Sequence, residues 1–364
     1  MTGALHALPD SLQGGLSKVR LEGLDGIRAL AAVGILLTHM RILPLWVTLN
    51  VFFGLSGFLI TWLLLREEDA AKRVSIPRFY ARRCLRLLPA YYVALIILVY
   101  LVPPSAGPLR ADHVWSAGLY YSNYYQAVHG ATHGTLSPFW SLAMEEQFYL
   151  IWPLCFVLSK GWRAGLLVTI ILGVWWQRAV VVWGEGDLEW AYHALDCRAD
   201  HLLVGCLFAV WLHSGRFSSL WRTVCSAKWP VWATLMGLLA CALLPLMSDE
   251  RFREGGAFYL EPWLVAVLLI QVIDGRATGR FGWLDTPWLA WLGQRSYAFY
   301  LYHVFAMDLV GRWLSGSPLV RFLPTLLVTL VLAQLSWLLV EGPILKLRQR
   351  NPGVEALSQS PGAS

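Results

Sequence analysis

Long apolar stretches alternate along the 364 residues with short clusters of charge, glycine and proline. A bilayer core of about 30 Å requires roughly 20 apolar residues in helical form to cross it. Ten segments approach that requirement: 24–43, 45–65, 85–102, 138–158, 162–183, 198–213, 229–247, 258–274, 288–311 and 321–342. The pattern predicts an all-α fold, a polytopic membrane helix bundle of about ten transmembrane helices. Residues 1–23 read as a cytoplasmic N-terminal segment, 24–348 as one membrane domain, and 349–364 as a disordered cytoplasmic tail.

Composition narrows the class. Hydrophobic residues make up 57% of the chain and charged ones 14%, with a mean hydropathy of +0.53. Soluble domains carry about 25% charge, so a soluble enzyme, a disordered chain and a disulfide scaffold are excluded together. Six cysteines lie scattered with no C-x-x-C pair, which leaves no readable zinc site or disulfide framework and no expected metal ligand. The 20 tryptophans fall largely near span ends, where an interfacial belt accounts for them.

The net charge of +6 does not point to nucleic acid. Sorted by the loops they occupy, 19 of the 29 basic residues lie on one side of the ten spans and 7 on the other. Arg28, Arg178 and Arg295 remain, within or at the edge of spans. The positive-inside rule then puts both termini in the cytoplasm, as an even number of crossings requires, in a multi-pass protein of the cell membrane. Lys18 and Arg20 precede a short apolar run as in a signal peptide, yet no small-residue cleavage site follows, so an uncleaved first span is expected.

Ionisable groups inside spans are costly and mark candidate chemistry. Arg28 and His39 stand eleven residues apart, three helical turns plus about 20°, so they share one helix face with a rise of about 16 Å. Two readings are open: a functional pair, or Arg28 held by Asp25 one turn earlier with His39 as a packing residue. Span four opens with Glu145 and Glu146, which point about 100° apart, so one can face the bundle. A carboxylate near His39 would orient the imidazole for general-base work; the alternative is an acidic pair at the outer edge. Arg78, Arg82 and Arg86 form an i, i+4, i+8 row with Arg83 alongside, suited to phosphate or to anionic lipid. Asp196, Arg198 and Asp200 read as an internal salt-bridge set, and Tyr297, Tyr300 and His303 as packing at helical spacing. Gly54, Ser56 and Gly57 permit close helix approach.

Several of these segments, in order, resemble the acyltransferase 3 family of integral membrane O-acyltransferases. Leu24-Asp-Gly-Ile-Arg28 through His39 resembles its opening motif, and Phe52-Phe-Gly-Leu-Ser-Gly-Phe-Leu-Ile-Thr61 its second. Phe79-Tyr-Ala-Arg-Arg83-Cys-Leu-Arg86 and Trp140-Ser-Leu-Ala-Met-Glu145-Glu146-Gln-Phe-Tyr149 match the next two. Arg198-Ala-Asp200, Ser296-Tyr297 through His303, and Glu341-Gly-Pro343 fit as well, so the resemblance spans about 24–348. Gly54, Ala143 and Gly342 depart from the usual residues, and none of them is a proposed catalytic group.

The resemblance implies transfer of an acyl group, acetyl by default, from cytoplasmic acyl-CoA to a hydroxyl on a carbohydrate, glycolipid or glycosylated small-molecule acceptor. Acyl-CoA is a co-substrate, and no bound cofactor is expected. His39 is the expected general base, with Arg28 and Glu145 as the other catalytic residues. Arg83, Arg86, Arg82, Glu146, Arg198, Tyr297 and His303 are expected to contact substrate or acyl-CoA. A transporter or flippase of an acylated or anionic solute is the rival, opposed by the lack of inverted-repeat symmetry.

Overall fold

The computed structural model describes residues 8–18, 21, 23–101, 110–130, 134–226, 228–247 and 251–350. Among them there is no strand, and helices account for nearly everything. The first half contains α1 (Asp10–Ser17), α2 (Leu24–His39), α3 (Val47–Ala71), α4 (Ile76–Ile96), α5 (Ala111–Gly118), α6 (Ser122–His129), α7 (Phe139–Leu158) and α8 (Arg163–Ala179). Then come α9 (Leu188–His193), α10 (Leu195–Arg198), α11 (Asp200–His213), α12 (Ser218–Ser226) and α13 (Trp229–Met247). The remainder is α14 (Phe258–Ala277), α15 (Pro287–Gln294), α16 (Ser296–Trp313), α17 (Pro318–Ser336) and α18 (Gly342–Arg350). π-helical turns extend four of them, at Ile97–Leu101, Val180–Glu185, Arg253–Ala257 and Trp337–Glu341.

All ten apolar segments fall on helices, but their lengths differ from the expectation. By length and composition, five helices of the described residues qualify to cross a membrane: Val47–Ala71, Ile76–Tyr100, Arg163–Gly184, Arg253–Gly275 and Pro318–Lys346. A sixth is reached if α11 and the following helix, bent by 109°, count as one span. α2 has 16 residues, about 24 Å of helix, and stops short of the roughly 30 Å core. The segment expected at 288–311 is broken at Arg295 into α15 and α16. α4 begins at Ile76 rather than 85, so the row of arginines lies on the helix itself. α18 runs to Arg350, which makes the first two residues of the expected tail helical; residues 351–364 lie outside the described residues.

One helix, α17, has its faces arranged in the opposite sense to those of a water-soluble bundle. On α17 and the turn after it, Leu319, Leu323, Leu327, Val331, Leu335 and Leu339 are exposed, while Thr325, Thr329, Ala333 and Ser336 are buried. The inward hydroxyls are satisfied within the helix, Thr325 donating to the Arg321 carbonyl at 2.8 Å and Thr329 to the Thr325 carbonyl at 2.7 Å. Apolar groups outside and small or polar groups inside are what a lipid solvent selects.

The chain packs as two units. The first comprises Met1–Thr38, Leu43–Leu65 and Leu158–Gln294. Here the N-terminal segment supplies α1, whose Ser11 hydroxyl bonds to Asp274 on α14, and buries Leu12 and Leu16. α3 and α11 cross at backbone contact: a Cβ on Gly57 would stand 1.9 Å from the Leu202 carbonyl oxygen, and one on Gly205 2.3 Å from that of Gly54. At the centre, Arg178 of α8 and Asp200 of α11 form a two-pronged ion pair at 3.0 and 2.8 Å, both side chains fully buried. Trp175 and His201 bond the same carboxylate at 3.0 Å each, and Arg178 also reaches the Cys197 and Phe258 carbonyls.

The second unit comprises His39–Ile42, Arg66–Val157 and Arg295–Ser364. Its α5–α6 stretch falls between the apolar segments 85–102 and 138–158, outside every predicted span. It forms two short helices with Ser116, Ser122, Asn123 and Gln126 buried. Gln147 of α7 holds it, donating to the Tyr120 carbonyl and to Asn123, each at 2.8 Å. Tyr91 of α4 stacks on Tyr120 with ring centres 4.2 Å apart and donates to the Ala117 carbonyl.

Two outcomes test this packing. Gly57→Val should destabilise the purified protein by about 1–3 kcal/mol or more, because backbone atoms cannot yield to the new methyls. Gly173→Ala, with nothing within 4 Å, should hold or raise the thermal midpoint, since alanine favours the helix. Asp200→Asn should cost about 3–5 kcal/mol by leaving the Arg178 charge uncompensated, read as a lower midpoint in detergent.

Candidate active site

The second unit gathers most of the polar residues singled out from the sequence. His39 ends α2 and is exposed, while His303 on α16 has no exposed surface. His39 Nδ1 lies 2.7 Å from His303 Nε2, and the two ring planes differ by 10°. His303 Nδ1 stands 2.6 Å from the carbonyl oxygen of Tyr300, one turn earlier on α16. The Tyr300 hydroxyl in turn lies 2.5 Å from Ser141 Oγ on α7 and 3.3 Å from the Pro138 carbonyl oxygen. Helical spacing creates this line, since Tyr300 and His303 fall on one face three residues apart.

Glu145 was expected to orient His39. The hydrogen-bond partner of His39 among the described residues is His303 instead, and the Glu145 carboxylate accepts a bond from Tyr149 at 3.1 Å. Four residues separate Glu145 and Tyr149 on α7, so the helix itself brings them together. The Tyr149 ring carries the Arg83 guanidinium 4.4 Å from its centre, and Phe79 lies on the same guanidinium at 6.0 Å. Tyr149 belongs to a motif quoted above, but only the packing gives it this contact. Glu146 is half-buried beside Glu145.

The arginines of α4 have separate fates. Arg82 donates to Glu67 at 2.8 Å, and the same carboxylate accepts the Ser75 backbone N–H at 2.9 Å. Arg82 therefore closes the turn between α3 and α4. Arg83 makes no hydrogen bond among the described residues, so its N–H donors remain available beside the Tyr149 ring. Arg86 is exposed, and Arg78 is half-buried. Tyr297 donates to the Leu87 carbonyl of α4 at 3.3 Å, which ties α16 to the arginine-bearing helix.

Arg28 and Arg198 belong to the first unit. Arg28 is paired with Asp25 at 2.7 Å, the nearer of the two readings left open for it. Arg198 is buried and does not form the expected salt-bridge set with Asp196 and Asp200. It donates to Asn50 at 2.6 Å, Asn50 donates to Glu261, and the Arg198 guanidinium packs over Phe258 at 4.1 Å and Tyr192 at 4.8 Å. Asp200 is engaged by Arg178, and Asp196 accepts from Trp190 at 3.2 Å. The participation of Asn50 and Glu261 carries no spacing signal, because they come from helices far apart in the chain. Among the described residues no three His, Cys, Asp or Glu side chains gather to hold a metal ion.

Comparison with known proteins gives a family and several relatives. The model of the acyltransferase 3 family, described as an acyltransferase domain, matches residues 21–338. The peptidoglycan O-acetyltransferase OatA of Listeria monocytogenes is 29% identical over 91% of this chain and 56% of its own length. A putative O-acetyltransferase of Staphylococcus aureus is 28% identical over 94% of this chain and 59% of its own. The putative peptidoglycan O-acetyltransferase YrhL of Bacillus subtilis is 30% identical over 89% of this chain and 55% of its own. The chain thus spans little more than half the length of these relatives. No solved structure matches it. With the family's model covering residues 21–338, nearly the whole chain, the chain belongs to the acyltransferase 3 family.

Proposed function

We propose that the chain is a membrane-embedded O-acetyltransferase, moving an acetyl group from cytoplasmic acetyl-CoA to a hydroxyl of a carbohydrate acceptor of the peptidoglycan type. In this reading the protein resides in the cell membrane, crosses it ten times, and has both termini in the cytoplasm, the shorter helices crossing with help from their neighbours. The names of the relatives and the family match support the acetyl group and the acceptor class. The observation that carries the reading is His39: an accessible imidazole at a helix end, held by a buried second imidazole.

His39 takes the proton of the acceptor hydroxyl as its oxygen attacks the thioester carbonyl. The carbon–sulfur bond breaks, and the leaving thiolate takes that proton from the imidazolium, so the products are the acetyl ester and free CoA. Positioned bases of this kind contribute about 10²–10⁴-fold. Arg83 and Arg86 bind the CoA phosphates. The support lies in Arg83, whose planar cation is steadied by Tyr149 while its donors are unspent, a preorganised phosphate ligand.

Purified protein given radiolabelled acetyl-CoA and peptidoglycan fragments should transfer label to the fragments; transport of an acylated solute without label transfer would refute the reading. His39→Ala should lower the rate by about 10²–10⁴-fold with normal membrane insertion. Arg83→Ala should raise the acetyl-CoA concentration for half-maximal rate by roughly tenfold or more, the loss of one or two charge-assisted hydrogen bonds. An unchanged donor dependence would remove Arg83 from the donor site.

A further inference from the structure

The line from Tyr300 to His39 contains more than a contact, because each atom in it has a restricted hydrogen-bonding role. A backbone carbonyl oxygen only accepts, so His303 Nδ1, 2.6 Å from that of Tyr300, carries a proton. His303 is fully buried, and its hydrogen-bond partners among the described residues are that carbonyl and His39, neither of them anionic. A second proton on its ring would be a buried charge with nothing to compensate it. The neutral ring has one N–H, already spent on Tyr300, and its Nε2 is a lone pair.

His39 Nδ1 faces that lone pair at 2.7 Å, so the proton between the rings belongs to His39. A neutral His39 has then spent its own N–H inward, and its Nε2 is the lone pair on the exposed ring. The geometry points to His303 as a positioning residue that holds His39 in the Nδ1–H tautomer and so presents Nε2 as the basic atom. This rests on the proposed role of His39 as base.

The arrangement does the work of a carboxylate behind a catalytic imidazole without placing a charge in the bundle. Its far end is fixed twice over. The Tyr300 carbonyl is part of α16, and the Tyr300 side chain is tied to Ser141 and Pro138 at the start of α7. The two ring planes are nearly parallel, 10° apart, and the bond between them is short. A base presented in the wrong tautomer offers an N–H where a lone pair is needed, and costs up to about 10⁴-fold in rate.

The test is ¹⁵N NMR of the full chain with labelled histidine, the His39 signal being identified by its absence in His39→Ala. The expected result is Nδ1 protonated and Nε2 unprotonated in the parent protein. His303→Gln, whose side-chain oxygen can accept the same proton, should keep that tautomer and retain acetyl transfer within about tenfold. His303→Leu should release the tautomer and lower the rate from acetyl-CoA to peptidoglycan fragments by about 10²-fold or more.

A His39 protonated at Nε2 in the parent protein overturns the inference, and that measurement requires no variant to fold. So does a His303→Leu protein, folded by its thermal midpoint, in which the His39 tautomer and the rate are unchanged. If the tautomer is as expected and the parent protein transfers no acetyl group, the positioning role of His303 stands and the proposed function fails.

Discussion

Asp200 has no water to turn to, and each of its oxygens is met by the protein. Arg178 takes both prongs, His201 the first oxygen and Trp175 the second, all within 3.0 Å. An unmet carboxylate at such a depth would cost several kcal/mol, so the helices that bring these donors are bound to one relative position. α8 supplies Arg178 and Trp175, α11 supplies Asp200 and His201, and α14 adds the Phe258 carbonyl and the Tyr259 ring beneath the guanidinium. The core of the first unit is set by this saturation of a single buried charge. Apolar packing alone leaves helices free to slide past one another in a lipid-like solvent.

In the second unit the same constraint is met without full charges. His303 lies as deep as Asp200, and its neighbours are a carbonyl, a second imidazole and, through Tyr300, a serine. Neutral groups with fixed donor and acceptor roles cost less to bury than ions, and they transmit direction along the chain of bonds. The exposed end of that chain is His39. Arg83, held by stacking on Tyr149 rather than by an ion pair, likewise keeps its donors unspent. The carboxylate that holds the first unit has both oxygens met, while His39 and Arg83 each have one side engaged and the other open.

Much of this was legible in the chain. The ten apolar segments all became helices, and the motif residues Arg83, Glu145, Tyr297 and His303 stand in one unit with His39. What the pattern could not convey was partnership. Glu145 and His39 suggested a carboxylate–imidazole pair, yet a position along a helix says nothing of lateral distance, and His303 is the partner His39 meets. The α5–α6 stretch lies between two predicted spans; its buried Asn123 pairs with Gln147 of α7 and its buried Gln126 donates to the Ser137 carbonyl, partners that local sequence does not reveal.

By itself the sequence determined the solvent, through its scarcity of charge, and the positions of the helices, through the length of its apolar runs. It also marked the groups whose cost of burial demanded an explanation. The tertiary structure decided which of those groups satisfy one another: Arg28 with Asp25, Arg178 with Asp200, Arg82 with Glu67, and His39 with His303. Three of these four are contacts between helices or across a turn. The physical reason is that periodicity records which side of a helix faces inward, whereas a hydrogen bond depends on a third of an ångström between atoms that only packing brings together.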